Sequence, residues 1–273
     1  MILREVLKKT EDALKDKGID DARLEAELII RGALGIDKVE FITSDGRELT
    51  TEETSEIENR LNRRLAGEPA AYILGTKEFF GRVFEVNDDV LIPRPETEIM
   101  VEDVLEEFKG KNVKLLDIGT GSGAIAVTVA LEKPSCEVTA LDISEKALEV
   151  AKRNAAKLRA NVRFIQSDLT KNVTEKFDGV MANLPYVPTK DIPDTHEPVL
   201  ALDGGEDGLD TIRRLLPELP HILNEGAVIW LEIAINQYPI AEKACREVFP
   251  NANISSIKDL AGIDRFVKIS IPR

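Results

Sequence analysis

The sequence predicts an α/β fold in which a mostly parallel, doubly wound sheet follows a small helical bundle. Three observations support this prediction. Leucines recur at helical spacing over residues 1–75, aromatic residues cluster around Gly81, and strand and helix patterns alternate from Val113 onward. The last two strand patterns have no helix between them, so we expect a terminal hairpin with one antiparallel strand.

The first 75 residues are predicted to form a separate helical domain. Apolar residues at helical spacing precede Gly18 and again precede Gly35, and both glycines are typical helix ends. Thr50 followed by Glu53 is a capping box that begins another helix. The pattern indicates a small bundle with polar outer faces.

In residues 76–93 the helical spacing of apolar residues gives way to a cluster of aromatic and β-branched residues. This segment is predicted to form a β-hairpin that links the bundle to the sheet domain, residues 94–273. Aromatic and β-branched residues flank Gly81, where a tight turn is expected. Beyond the hairpin, Pro95 suits the first turn of a helix that extends to about Phe108.

The sheet domain is predicted from seven strand patterns and the helices between them. The strands are expected at Val113–Ile118, Glu137–Asp142, Val162–Gln166, Phe177–Ala182, Ala227–Ile233, Ile254–Lys258 and Arg265–Ser270. The helices are expected at Ser122–Leu131, Ser144–Leu158, Gly208–Leu223 and Pro239–Val248. This alternation is typical of a Rossmann-like sheet with helices on both faces.

Composition limits the classes of partner. The chain has 36 basic and 50 acidic side chains and a net charge of −14, which opposes broad binding to nucleic-acid phosphates. Cys136 and Cys245 suggest no disulfide framework, and no apolar run approaches membrane-spanning length. We therefore expect a cytoplasmic protein with no membrane contact and no stably bound nucleic acid.

The segment Asn183–Tyr186 is the most informative part of the chain. It follows an apolar strand pattern, and parallel sheets bind ligands beyond the carboxyl ends of their strands. Pro185 restricts Leu184, so that the Asn183 side-chain oxygen and the Leu184 carbonyl can face one space. Two acceptors suit the two donors of a planar NH₂ group, and Tyr186 offers a face for stacking. The alternative interpretation is an ordinary turn that ends a strand.

A glycine-rich loop, residues 117–123, joins the first strand of the sheet to its helix and predicts a nucleoside site. The glycines allow a ligand to approach the backbone, and Asp142 at the end of the next strand can bind both ribose hydroxyls. Gly119, Gly121 and Ala124 would also fit a dinucleotide pattern. Asp117, at the start of the loop, favours the ammonium and sulfonium charges of S-adenosylmethionine over a pyrophosphate.

Beyond the third strand, Asp168 and Leu169 could meet the adenine at its amine and on its face. For Asp168, a carboxylate that caps a turn is an equally good interpretation.

Over nearly its full length the chain resembles the release factor N5-glutamine methyltransferases (the HemK/PrmC family). The motifs that carry the resemblance are Gly67–Gly75, Glu78–Gly81, Val90–Glu98, Leu116–Ala126, Glu197–Pro198, Ala201–Leu202, Gly204–Asp210, Glu232–Ile233, Gln237 and Gly262–Arg265. One position departs from the family, which usually has Asn-Pro-Pro-Tyr where this chain has Leu184. Asn-Leu-Pro-Tyr is typical of ribosomal RNA adenine dimethyltransferases, so the tetrapeptide does not distinguish an amide substrate from adenine.

The resemblance implies a class I methyltransferase sheet, S-adenosylmethionine as cofactor and no metal. It implies methyl transfer to the glutamine of the Gly-Gly-Gln loop in class I peptide chain release factors, with the helical domain docking that protein. The catalytic residues are then expected to be Asn183, Leu184, Pro185 and Tyr186. The residues expected to bind the cofactor are Pro95, Thr97, Asp117, Gly119, Thr120, Gly121, Ser122, Gly123, Asp142, Ile143, Asp168, Leu169 and Asn183. We expect the enzyme to be a monomer.

Three other functions remain open from the residues. An adenine-N6 methyltransferase acting on RNA or DNA would need a basic groove, and no Lys/Arg-rich stretch is present. An inactive S-adenosylmethionine-binding module would leave the Asn183–Tyr186 motif without a role. A nicotinamide dehydrogenase would explain the glycine loop but not that motif.

Overall fold

The computed structural model describes residues 1–273, which form two compact units, Met1–Thr76 and Lys77–Arg273. The first unit contains helices α1 (Leu3–Asp16), α2 (Ala22–Leu34), α3 (Lys38–Thr43), α4 (Thr51–Leu65) and α5 (Ala70–Leu74). Gly35 ends α2 in a left-handed conformation, and the Thr50–Glu53 capping box begins α4. Apolar residues of α1, α2 and α4 form one buried cluster.

A short hairpin begins at the boundary between the units. Its strands are β1 (Thr76–Phe79) and β2 (Arg82–Glu85). Phe79 and Phe84 meet edge to face, with ring centroids 6.1 Å apart, and both belong to the core of the second unit. A 3₁₀ turn, Pro95–Thr97, then leads into helix α6 (Glu98–Glu107).

The second unit is built on a seven-stranded sheet. Its strands are β3 (Lys114–Ile118), β4 (Glu137–Asp142), β5 (Val162–Gln166), β6 (Phe177–Ala182), β7 (Leu223–Glu232), β8 (Asn253–Lys258) and β9 (Asp264–Ser270). They lie in the order β5-β4-β3-β6-β7-β9-β8. Strands β3 to β7 are parallel, and β9 is antiparallel to both of its neighbours, as the missing final helix predicted.

Successive side chains of the central strands enter two different cores. On β6, Val180 and Ala182 face one core cluster, whereas Met181 faces the other. On β7, Ile229 and Trp230 divide in the same way. The strands therefore have apolar residues on both faces, which is the pattern of a sheet covered by helices on each side.

The helices of this unit are α7 (Ala124–Glu132), α8 (Glu145–Leu158), α9 (Asp210–Leu215) and α10 (Tyr238–Val248), in addition to α6. The expectation of one helix over residues 208–223 is wrong. Helix α9 ends at Leu215, a 3₁₀ turn covers Leu219–His221, and β7 already begins at Leu223. Pro217 and Pro220 explain the difference, because each lacks a backbone donor and clashes with a preceding turn.

No helix of the protein combines the length and the apolar composition needed to cross a membrane.

Candidate functional site

A cavity of about 410 Å³ lies at the carboxyl ends of the parallel strands. Strand order reverses between β3 and β6, and such a switch point is where open α/β sheets bind ligands. The volume lies within the range of small-molecule sites. The walls come from the glycine loop after β3, the ends of β4 and β6, the loop after β5 and the segment 88–97.

The glycine loop forms the floor of the cavity. Gly119 adopts a φ of +76°, and a side chain there would begin 3.0 Å from Leu184 Cδ2 and 3.3 Å from the Asn183 carbonyl oxygen. Glycine therefore allows this loop to approach the end of β6. Gly121 also has a positive φ, and no other atom lies within 4 Å of where its side chain would begin. The backbone here is open to a ligand.

Asp117 is a buried carboxylate with one unpaired oxygen. Its Oδ2 accepts a hydrogen bond of 2.6 Å from the Thr120 hydroxyl, whereas Oδ1 has no partner. Burial raises the pKa of Asp117 to about 7, against the effect of the Thr120 hydrogen bond. A cationic donor beside Oδ1 would remove this cost, so the orphan oxygen fits the ammonium group of an amino-acid ligand.

Asp142 ends β4 with its carboxylate already positioned. Its Oδ2 accepts from the Gly121 N–H at 2.8 Å, and its Oδ1 accepts from the Ser144 N–H at 2.9 Å. Burial raises its pKa, and these backbone hydrogen bonds oppose the rise. Each carboxylate oxygen can accept more than one hydrogen bond, so Asp142 can still receive two ribose hydroxyls.

The loop after β5 places Asp168 on the cavity wall, but its carboxylate already has partners. Its oxygens accept from Arg214 Nη2 at 2.8 and 3.0 Å and also from the Lys171 ammonium. The Lys171 hydrogen bond lowers the pKa of Asp168, as does Arg214. Leu169 is buried beside it and Ile143 is half exposed, so both offer apolar surface to the cavity. Contact of Asp168 with adenine stays a prediction.

The segment Asn183–Tyr186 leaves β6 at the opposite wall. Asn183 Nδ2 donates to Thr97 Oγ1 at 3.3 Å, and no protein donor pairs with Asn183 Oδ1 or with the Leu184 carbonyl. The Leu184 side chain is buried in the sheet core, and Pro185 lines the cavity. Two unpaired acceptors therefore lie next to each other in the chain at the cavity wall.

A buried carboxylate connects this wall to two other residues. Glu232, the last residue of β7, is only 3% exposed. Its Oε2 accepts from the Thr97 hydroxyl at 2.7 Å, and its Oε1 accepts from the Tyr186 hydroxyl at 3.1 Å. Burial raises the pKa of Glu232 to about 7 and, together with the nearby Glu232 charge, raises that of Tyr186 well above its usual value.

The structure brings most of the predicted residues to one cavity. Those that line it are Thr97, Gly119, Thr120, Gly121, Ser122, Asp142, Ile143, Asp168, Leu169, Asn183, Leu184 and Pro185. Asp117 lies behind them and hydrogen-bonds to Thr120, whereas Pro95, Gly123 and Tyr186 do not line the cavity. Gly123 instead packs tightly on Ala151 of α8, so its role here is to let the helix approach.

The sequence motifs indicated no role for Glu232 or for the Arg94–Glu197 pair. Glu197 accepts from the Ile92 N–H at 3.0 Å and pairs with the Arg94 guanidinium, which joins two loops at the cavity mouth. For Glu232 a signal was present: it is an acidic residue that directly ends an apolar strand next to β6. No short-range signal links Arg94 to Glu197, because they are 103 residues apart.

Comparison with known proteins shows which family the chain resembles. Residues 5–75 match the family model of the PrmC N-terminal domain, and residues 95–199 match that of the methyltransferase small domain. The release factor glutamine methyltransferase of Bacillus cereus is 36% identical over 280 residues, which cover 98% of this chain and 98% of its own length. That of Koribacter versatilis is 42% identical over 255 residues, 90% of each chain.

Among solved structures, a methyltransferase from Pyrococcus furiosus superposes with a TM-score of 0.57 at 23% identity. The match covers 79% of this chain and 100% of the other. This similarity concerns the fold alone.

Proposed function

Because the chain belongs to the release factor glutamine methyltransferase family, we propose that its cavity joins S-adenosylmethionine to the side-chain amide of a release factor glutamine. The enzyme transfers the methyl group to the glutamine side-chain nitrogen, N5. We place the target glutamine in the Gly-Gly-Gln motif of class I release factors, as the resemblance implies. The adjacent unpaired acceptors of Asn183 and Leu184 support this assignment best.

The residues at the glycine loop fit the cofactor. S-adenosylmethionine supplies an electrophilic methyl group when it is bound. The orphan oxygen of buried Asp117 would accept its ammonium group, and the Asp142 carboxylate would accept the ribose hydroxyls. Leu169 and Ile143 would cover the adenine with apolar surface. Pairing the ammonium with Asp117 also compensates for the burial of that carboxylate.

On the substrate side, the protein's task is to orient a poor nucleophile. The lone pair of an amide nitrogen is delocalised into its carbonyl, and the Asn183–Tyr186 segment contains no base that could remove the amide proton beforehand. Asn183 Oδ1 and the Leu184 carbonyl can accept the two N–H groups of the glutamine, which fixes the amide plane. Orientation of this kind strongly accelerates a bimolecular step. The same acceptors stabilise the positive charge that develops on nitrogen during attack, before the proton leaves.

Tyr186 does not line the cavity itself, and we place its ring just beyond Pro185, where it would stack on the amide of the incoming glutamine. Its hydroxyl donates to Glu232, and its backbone carbonyl accepts from Gln237 Nε2 at 2.9 Å. Hydrogen bonds therefore hold both the side chain and the backbone of Tyr186. An anchored aromatic ring can stack on a planar amide without losing side-chain entropy on binding.

The test is methyl transfer from labelled S-adenosylmethionine to a purified class I release factor, with a Gln→Ala change in its Gly-Gly-Gln loop as control. Asn183→Ala should reduce kcat about 100-fold or more, since it removes an acceptor that acts in the transition state. Its affinity for S-adenosylmethionine, measured by calorimetry, should remain within about threefold. Label on ribosomal RNA or DNA but not on the factor would instead establish the adenine reaction.

We place substrate docking on the helical unit, residues 1–75, because one glutamine loop offers little contact area for a protein substrate. We also place the enzyme in the cytoplasm as a monomer without stably bound nucleic acid. A release factor substrate supports the location, and the net charge of −14 opposes phosphate binding.

A further inference from the structure

We propose that ionised Glu232 acts through the Thr97 hydroxyl as a positioning residue, which holds the Asn183 amide with its oxygen toward the substrate. This inference rests on the proposed function, since it assigns the acceptor to the glutamine amide. Glu232 does not line the cavity, so we assign it no direct contact with substrate or cofactor. Its influence reaches Asn183 through one hydroxyl group, over contacts of 2.7 and 3.3 Å.

The donors and acceptors of Glu232, Thr97 and Tyr186 determine how the Asn183 side-chain amide is oriented. An ionised carboxylate only accepts, and Glu232 receives the Thr97 proton on one oxygen and the Tyr186 proton on the other. The hydroxyl of Thr97 has a single proton, so it can only accept from Asn183. The Asn183 group that faces Thr97 must therefore be the NH₂, and Oδ1 is left for the substrate.

Protonation of Glu232 would reverse this selection. A carboxylic acid donates one proton, and if it donates to Thr97 the threonine proton becomes free to bind Asn183 Oδ1. The amide would then turn its NH₂ toward the NH₂ of the substrate, donor against donor. The state of one buried carboxylate thus decides whether the catalytic asparagine accepts or repels the glutamine amide.

The groups around Glu232 set the pH at which this happens. Burial has the largest effect and raises the pKa of Glu232 to about 7; the Thr97 and Tyr186 hydrogen bonds oppose it. The Glu96 carboxylate adds to the rise, whereas the Arg265 guanidinium on β9 opposes it. Arg94 and Arg265 both lie near Tyr186 and lower its pKa. Both charge states of Glu232 are therefore accessible near neutral pH.

The first experiment measures kcat at saturating S-adenosylmethionine for Glu232→Gln and Thr97→Val. Each should lower kcat about 10-fold to 100-fold, because the orientation of Asn183 changes. In Glu232→Gln the cofactor affinity should stay within about threefold, and the Gln side-chain oxygen can still accept from the Tyr186 hydroxyl. Thr97→Ser restores a hydroxyl and should recover most of the loss. The double variant should be no slower than the worse single variant, since both changes break one chain of contacts. Losses that multiply, or a fall in the cofactor affinity of Glu232→Gln equal to its fall in kcat, would overturn the proposal.

The second experiment uses the pH profile. In the wild type, kcat should fall on the acid side with an apparent pKa near 7, and this limb should disappear in Glu232→Gln. Asp178→Asn is the matched control, because the Asp178 carboxylate likewise accepts one hydrogen bond on each oxygen but lies at the other end of β6. Its profile should match the wild type. An acid limb that survives unchanged in Glu232→Gln would refute the proposal.

A readout without turnover separates this inference from the proposed function. The side-chain ¹⁵N resonance of Asn183, observed by NMR in the free enzyme, should titrate near pH 7 in the wild type and remain constant in Glu232→Gln and Thr97→Val. Titration without methylation of a release factor would leave the positioning role supported and reject the substrate. Methylation with an Asn183 signal that does not titrate would do the opposite.

Discussion

The burial of Asp117 predicts that cofactor affinity depends on pH. Its orphan oxygen can pair with an ammonium group only when the carboxylate is ionised, and burial raises its pKa to about 7. With that value, about 9% of the free enzyme is ionised at pH 6 and about 70% at pH 7.4. The dissociation constant of S-adenosylmethionine should therefore be roughly eightfold higher at pH 6. Above pH 7.4 the ligand's own α-amino group begins to lose its proton, so the prediction applies only up to that pH.

Isothermal titration calorimetry at several pH values between 6 and 7.4 measures this dependence. 5′-Methylthioadenosine is the control ligand, since it keeps the adenosine and the sulfur but lacks the ammonium group. Its affinity should not change over the same range. Asp117→Asn should weaken S-adenosylmethionine about 100-fold at pH 7.4 and abolish the pH dependence, because an unpaired ammonium would be buried. A flat profile for the wild type would refute the assignment of Asp117. An equal slope for the control ligand would move the titrating group to Asp142.

Three more predictions follow from other contacts of the second unit. Asp142→Ala should weaken both S-adenosylmethionine and 5′-methylthioadenosine by at least about tenfold in calorimetry, because both carry the ribose; unchanged affinity would reject the ribose assignment. The free energy of unfolding, measured in urea, should fall between pH 5 and pH 8 by roughly 2–3 kcal/mol less in Glu232→Gln than in the wild type. The sign follows from the raised pKa of Glu232, which is about 7: the folded state holds the proton more tightly, so stability is present at low pH and is lost as pH rises through 7. In Gly208→Ala the added methyl group would lie 2.2 Å from the Tyr186 carbonyl oxygen and 2.4 Å from Gln237 Nε2. This clash should displace Tyr186 and lower kcat. A wild-type rate would show that catalysis tolerates the displacement.

Short sequence patterns correctly predicted those structural elements that depend on interactions between neighbouring residues. The Thr50–Glu53 capping box, Gly35 as a helix end and the hairpin around Gly81 all depend on residues a few positions apart. The alternation of strands and helices also predicted a parallel sheet with an antiparallel last strand. The single helix expected over residues 208–223 was wrong because two prolines outweighed the apolar spacing.

The sequence by itself determined the sheet, the glycine loop and the position of Asn183 at a strand end, because each depends on local propensity and on the rule that parallel strands end at one edge. Only the tertiary structure decided what each side chain faces. It placed Thr97 against Glu232, 135 residues away, and left one oxygen of Asp117 without a partner. Such contacts depend on how distant strands pack, and burial then changes the proton affinity of both carboxylates. Charge state and amide orientation are therefore properties of the fold, and no stretch of sequence contains them.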